Sequence, residues 1–168
     1  MIQDISPYRL DTAYRGTAPV PDDCFFSFRG EDVLLRDMGD GHRSLPSFRD
    51  LGHPAGKMES RAVFLFRAGR EPVYLLGQEV NGCRGLGYFP ICELKDVLPE
   101  WVFFAGATAL HLSRWYEGNR YCGRCGGRME RKPGQRTLAC PECGNTVYPG
   151  IAPVVMVAVT DGDRLLMT

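Results

Sequence analysis

Four cysteines in two pairs, Cys122-Gly123-Arg124-Cys125 and Cys140-Pro141-Glu142-Cys143, constrain this chain more than any other feature of its sequence. Two residues between partners let both sulfurs of one tight turn face a single ion about 2.3 Å away, and a second such turn completes a tetrahedron. Fourteen residues separate the pairs, enough for an outgoing strand, a turn at Pro133-Gly134 and a returning strand over 136–139. Glycine follows each pair, at Gly126 and Gly144, and its backbone freedom lets amide hydrogens turn toward the sulfurs. The pattern reads as a zinc ribbon with Cys122, Cys125, Cys140 and Cys143 as ligands. A redox dithiol needs only one pair near a βαβ unit, and two disulfides fit an oxidising compartment. Four thiolates leave no open coordination position, so the ion is structural and activates no water. Cys24, Cys83 and Cys92 lack partners at metal spacing and read as small apolar groups without chemistry.

Around the ribbon, the chain is that of an ordinary globular protein: 168 residues, 44% hydrophobic and 24% charged, which excludes a disordered tail. Its apolar runs, 102–110 and 151–159, fall short of the roughly 20 residues that cross a bilayer, so no membrane partner is expected. The first residues offer neither a basic nor an apolar signal region, which makes the cytoplasm the expected compartment. Three segments, 25–35, 63–76 and 155–167, each run strand, polar turn, strand, and each predicts a β-hairpin. Between the first two, residues 37–61 are dense in Asp-Gly, Leu-Pro and Pro-Ala-Gly combinations and predict surface loops. After Pro99, the stripe Trp101, Phe104, Ala105, Thr108, Ala109, Leu112, Trp115 and Tyr116 predicts a helix over 101–117 that docks the ribbon on the N-terminal part. Gly118-Asn119 should end it. The fold class expected is α+β, with three parts: 1–117 including the linking helix, the ribbon at 118–148, and 149–168.

Charge is balanced overall, with 20 basic and 20 acidic residues, but not locally. Arg114, Arg120, Arg124, Arg128, Arg131, Lys132 and Arg136 face only Glu117 and Glu130 in the same stretch. This helix end and ribbon therefore carry +5, a patch suited to phosphates of a nucleotide or RNA, or simply a solvated surface. His42, His53 and His111 have no partners at metal or triad spacing, and none is a catalytic candidate.

The run Arg120-Tyr121-Cys122-Gly123-Arg124-Cys125-Gly126, the second knuckle, and Tyr148-Pro149-Gly150-Ile151-Ala152-Pro153 leading into an apolar strand resemble the NADH pyrophosphatase branch of the Nudix hydrolases. The resemblance implies an N-terminal Nudix-like antiparallel sheet domain, the zinc ribbon, and then the first hairpin of a catalytic Nudix domain. It further implies a homodimer, Mg²⁺ or Mn²⁺ on catalytic carboxylates, and hydrolysis of the NAD(H) pyrophosphate to nicotinamide mononucleotide and AMP, with NAD-capped RNA 5′ ends as a further substrate. One departure stands out: an arginine commonly follows the Tyr-Pro pair, and here the position is Gly150.

The chemistry needs several carboxylates to hold the ions beside the diphosphate. In this family they come from the Nudix box, G-x5-E-x7-R-E-U-x-E-E-x-G-U, and that pattern is absent. Glu117, Glu130 and Glu142 are isolated from one another, so no catalytic residue is assigned. The expectation is a chain that stops inside the catalytic domain, inactive alone, whose closing hairpin has unpaired edges that invite docking. The alternatives are a zinc-ribbon module that binds RNA or nucleotide, with Trp115, Tyr116, Tyr121 or Tyr148 stacking on bases, and a structural dimerisation module.

Overall fold

Glycine at the first position of a two-residue loop sets three hairpins, the arrangement that matches the right-handed twist of paired strands. The computed structural model describes residues 5–15, 17–39, 41–52, 61–93, 98–150 and 157–166. In it Gly30, Gly69 and Gly162 adopt φ of +62°, +63° and +59° between strands in register. The second hairpin, β6 (Ala62–Ala68) and β7 (Glu71–Leu76), is the one expected from the sequence. Of the third, the turn with β12 (Thr160–Asp161) and β13 (Arg164–Leu165) is described, whereas residues 151–156 and 167–168 lie outside the described residues.

The first hairpin is shorter than expected. Its strands are β3 (Phe28–Arg29) and β4 (Asp32–Asp37), while Phe25 and Phe26 belong to β2 (Cys24–Phe26), which pairs in parallel with β7 in another sheet. Buried Ser27 separates the two sheets, its hydroxyl donating to the Gln78 carbonyl at 2.9 Å. One four-stranded sheet runs β1 (Leu10–Asp11), β6, β7, β2. In the other, β4 lies between β3, β5 (Arg43–Ser44) and β8 (Leu86–Pro90), all antiparallel. Residues 37–61 are therefore not loop alone. Besides β5 they hold a 3-10 turn, Phe48–Leu51, capped by Ser47 and Asp50, which sends Phe48 and Leu51 into the core. Apolar residues in a turn-rich stretch bury whenever a sheet face lies beneath them. Residues 53–60 lie outside the described residues.

The two faces of the β6–β7 hairpin fill two clusters. One holds Phe25, Leu34, Phe48, Phe64, Tyr74 and Leu76; the other holds Phe26, Val33, Leu65, Phe66, Val73 and Leu75 together with the helix residues Val102, Ala105, Ala109 and Leu112. A bulge between Phe64 and Phe66 breaks the strict alternation and sends both Leu65 and Phe66 to the helix side.

That helix, α1 (Glu100–Gly118), begins after Pro99 and ends where the Asn119 side-chain amide donates to the Trp115 carbonyl at 2.7 Å. Its fully buried face is Val102, Ala105, Gly106, Ala109, Leu112 and Ser113. The aromatic positions of the expected stripe flank this face instead, because small residues let α1 approach the sheet closely while bulky rings fit only at its margins. Trp101 stacks on Tyr8 at 4.9 Å, and Trp115 and Tyr116 reach the ribbon cluster. The described residues thus form an α+β fold of antiparallel sheets with one parallel strand pair.

Candidate metal centre

Three short strands, β9 (Glu130–Arg131), β10 (Leu138–Ala139) and β11 (Thr146–Val147), make an antiparallel ribbon behind the cysteine turns. The two turns are built alike. Cys122 N–H donates to Gly127 O at 2.7 Å and Gly126 N–H to Cys122 O at 2.8 Å; Cys140 N–H donates to Asn145 O at 2.8 Å and Gly144 N–H to Cys140 O at 3.0 Å. Gly126 and Gly144 close these loops at φ of +78° and +71°, in the left-handed region that glycine enters without strain. The expected ribbon geometry follows from this local repetition.

All four Sγ atoms lie within 4.8 Å of one another. Cys122 Sγ is 3.6 Å from Cys143 Sγ, and Cys125 Sγ is 3.4 Å from Cys140 Sγ. A tetrahedron with 2.3 Å zinc–sulfur bonds has edges of about 3.8 Å, so the spacing of the four sulfurs suits a zinc ion. Electrostatics point the same way. The Cys122 thiol is held down to about 6 by the backbone N–H groups of Arg124 and Cys125, helped by the Asn145 amide at 3.5 Å. Cys125 is pushed up to about 12: the Gly127 N–H favours its thiolate, but Cys140, Cys143 and Cys122 crowd it. Four sulfurs this close cannot all ionise beside one another unless a cation sits among them. Among the described residues, these cysteines are the one group of three or more His, Cys, Asp or Glu side chains with converging ligand atoms.

Cys122 and Cys140 are buried, with Met129 and Leu138 beside them, and Trp115, Tyr116 and Val147 pack against this cluster. The Trp115 indole N–H donates to the Tyr148 carbonyl at 3.1 Å, tying α1 to the end of the ribbon. Asn145 escaped the sequence reading; its signal was its place two residues after Cys143, where a side-chain amide can turn back on the site.

The basic stretch divides into two groups. Arg114 pairs with Glu31 at 2.6 Å. Arg131 donates to the Ala62 carbonyl at 3.4 Å, and Arg136, half-buried over the Tyr14 ring, donates to the carbonyl of Leu65. β1 pairs only with Arg67 and Ala68, so these two ribbon arginines reach the stretch of β6 that β1 leaves open. The other group, Arg120, Arg124, Arg128 and Lys132, is exposed. His111 is exposed on α1, and Cys24, Cys83 and Cys92 lie apart from the metal site; Cys83 faces the Leu51 carbonyl at 3.8 Å. Among the described residues, no helix is long and apolar enough to cross a membrane.

Residues 119–148 match the NADH pyrophosphatase zinc ribbon domain. With the four-sulfur cluster, this supports a structural zinc. The chain is 32% identical over 142 residues to the NAD-capped RNA hydrolase NudC of Deinococcus radiodurans, covering 84% of this chain and 47% of that protein. It is 36% identical over 101 residues to the NAD-capped RNA hydrolase NudC of Stutzerimonas stutzeri, covering 58% of this chain and 36% of the relative. A Pseudomonas fluorescens protein of the same name is 37% identical over 103 residues. The chain therefore spans less than half the length of these curated relatives. The match of the ribbon and the likeness to these relatives together support a NudC-type Nudix protein.

Proposed function

We propose that this chain forms the non-catalytic, zinc-binding portion of a metal-dependent diphosphatase that cleaves the pyrophosphate of NAD(H), and of NAD-capped RNA, giving nicotinamide mononucleotide and AMP from the free dinucleotide. The observation that carries the reading is the coincidence of the four-sulfur cluster with the segment matching an NADH pyrophosphatase ribbon. In this reading residues 1–117 form a Nudix-like domain with α1 as its link, 118–148 the ribbon, and 149–168 the opening of the catalytic Nudix domain. The intact protein is a cytoplasmic homodimer. Mg²⁺ or Mn²⁺ would offset charge on the diphosphate and orient water there. The residues described here do other work. Zinc on Cys122, Cys125, Cys140 and Cys143 fixes the ribbon; Arg131, Arg136 and Trp115 fix its place against β6 and α1.

The test begins with the source gene. An open frame running past the codon for Thr168 into a glutamate-rich Nudix box is expected, and its purified product with Mg²⁺ or Mn²⁺ should convert NADH to nicotinamide mononucleotide and AMP by chromatography. The 168-residue chain alone should convert none. A stop codon at that point, or a full-length product inert toward NADH, NAD⁺ and NAD-capped RNA, would overturn the proposal.

A further inference from the structure

Where α1 ends against the ribbon, a cleft of about 330 Å³ is lined by Tyr116, Asn119, Arg120, Tyr121, Arg128, Met129 and Leu138. Its volume lies in the range of small-ligand sites. Its walls are chemically sorted. Met129 and Leu138, both buried, lie beneath it, and Tyr116 borders it from the helix. Tyr121 and Arg128 are opposite each other in an antiparallel bridge, which puts their side chains next to one another on one face. Tyr121 is 69% exposed, so its ring is open to a stacking partner. Arg120 stands on the same cleft, and neither Arg120 nor Arg128 forms an ion pair among the described residues. The nearest carboxylates in sequence, Glu117 and Glu130, are exposed and leave both guanidinium groups unneutralised.

From this sorting we infer that the cleft binds single-stranded RNA, one base stacking on Tyr121 and the adjoining phosphates lying between Arg120 and Arg128. An exposed ring flanked by unpaired guanidinium groups is the arrangement that single-strand binders use, since every base has a face to stack and every nucleotide a phosphate to neutralise. A polyanion fits better than a mononucleotide. Arg124 and Lys132 add two further exposed, unpaired cations on the same ribbon, more charge than one phosphate group requires. The inference rests on the NAD-capped RNA reading for its biological sense, and it assigns the body of the RNA, not the cap, to the ribbon.

The test is binding without turnover. A fluorescein-labelled single-stranded RNA 12-mer bearing a plain 5′ hydroxyl is titrated into the zinc-loaded 168-residue chain by anisotropy at several salt concentrations. Affinity should fall as salt rises, with a slope of about −0.7 per phosphate contact. The double variant R120E/R128E should bind at least tenfold more weakly and flatten the slope by about 1.4; Tyr121→Ala should cost about tenfold with the slope unchanged. Charge reversal at two exposed arginines of the N-terminal sheet domain, R9E/R70E, should leave the affinity within a factor of about two, and zinc content with circular dichroism confirms folding of each variant. Four results would overturn the inference: no binding, binding insensitive to salt, equal loss in R9E/R70E, or full competition by AMP at the concentration of RNA nucleotides. NADH has no RNA body, so its cleavage by the unmodified full-length protein reads the diphosphatase proposal separately from the cleft. Failure of that activity in the unmodified protein counts against the diphosphatase proposal and not against the cleft.

Discussion

Replacing Cys140 by serine should unfold the ribbon while the N-terminal sheets stay folded. Inside the ribbon cluster, Met129 and Leu138 are the buried apolar side chains that accompany the two buried cysteines. Fully burying each contributes roughly 1.5–3 kcal/mol. A structural zinc contributes about 10–16 kcal/mol in small zinc-binding peptides. The metal contribution thus exceeds the ribbon's apolar one by about two- to fivefold, and a hydroxyl in place of one thiolate removes a ligand that no neighbour replaces. The sheets have no such dependence, because two larger clusters packed on β6, β7 and α1 hold them. Zinc by plasma mass spectrometry and hydrogen exchange by peptide mapping read both effects. The unmodified chain should hold one zinc and protect amides across 119–148; C140S should lose the zinc and exchange that segment freely, with protection over 62–76 retained. Full zinc with unchanged protection in C140S, or a ribbon that stays protected without zinc, would refute the reasoning.

Three further outcomes follow from the packing. Arg136→Ala removes a charged donor from the Leu65 carbonyl and a cation from the face of Tyr14. The loss should be about 1.5–3 kcal/mol, read as a fall in Tm of about 3–12 °C, and Arg136→Lys should recover only part of it. Burial pushes the Tyr116 hydroxyl up to about 12. A folded-state value above the unfolded one means the neutral form is favoured in the fold, so its stabilisation is complete below pH 10 and is lost as pH rises toward 12. About 3 kcal/mol should disappear across that window, and Tyr116→Phe should flatten the alkaline unfolding curve. Cysteine labelling should be ordered: Cys92, which is exposed, reacts first. Cys24 lags because burial and then the Glu71, Asp23 and Asp50 carboxylates raise its thiol. The four ribbon cysteines should react only after a chelator is added; early labelling at Cys122 or Cys143 would contradict the metal assignment.

Within the fold, local chemistry was legible and long-range pairing was not. The hairpin turns announce themselves because Gly30, Gly69 and Gly162 must reach positive φ, a demand settled within four residues. The same holds for the cysteine knuckles, whose hydrogen bonds span five residues at most. By contrast, Phe25-Phe26 reads as the arm of a hairpin with Val33 and Leu34, yet both phenylalanines lie in the other sheet against Tyr74 and Leu75. Alternation of apolar residues states that a strand has a buried face, not which strand lies beside it. The partnership of β4 with β8, joining Val33 to Phe89, is equally silent in sequence.

The sequence by itself determined the ribbon, the helix that leads to it and the turn positions, because each rests on spacing and on backbone conformations that neighbouring residues impose. Tertiary structure alone decided which arginines are free. Seven cations read as one patch along the chain, but Glu31, Ala62 and Leu65, all distant in sequence, occupy Arg114, Arg131 and Arg136. Arg120 and Arg128 are left beside an exposed ring, in a cleft that exists only because α1 and the ribbon meet there. Charge is a property of the residue; its availability depends on what folding brings within reach.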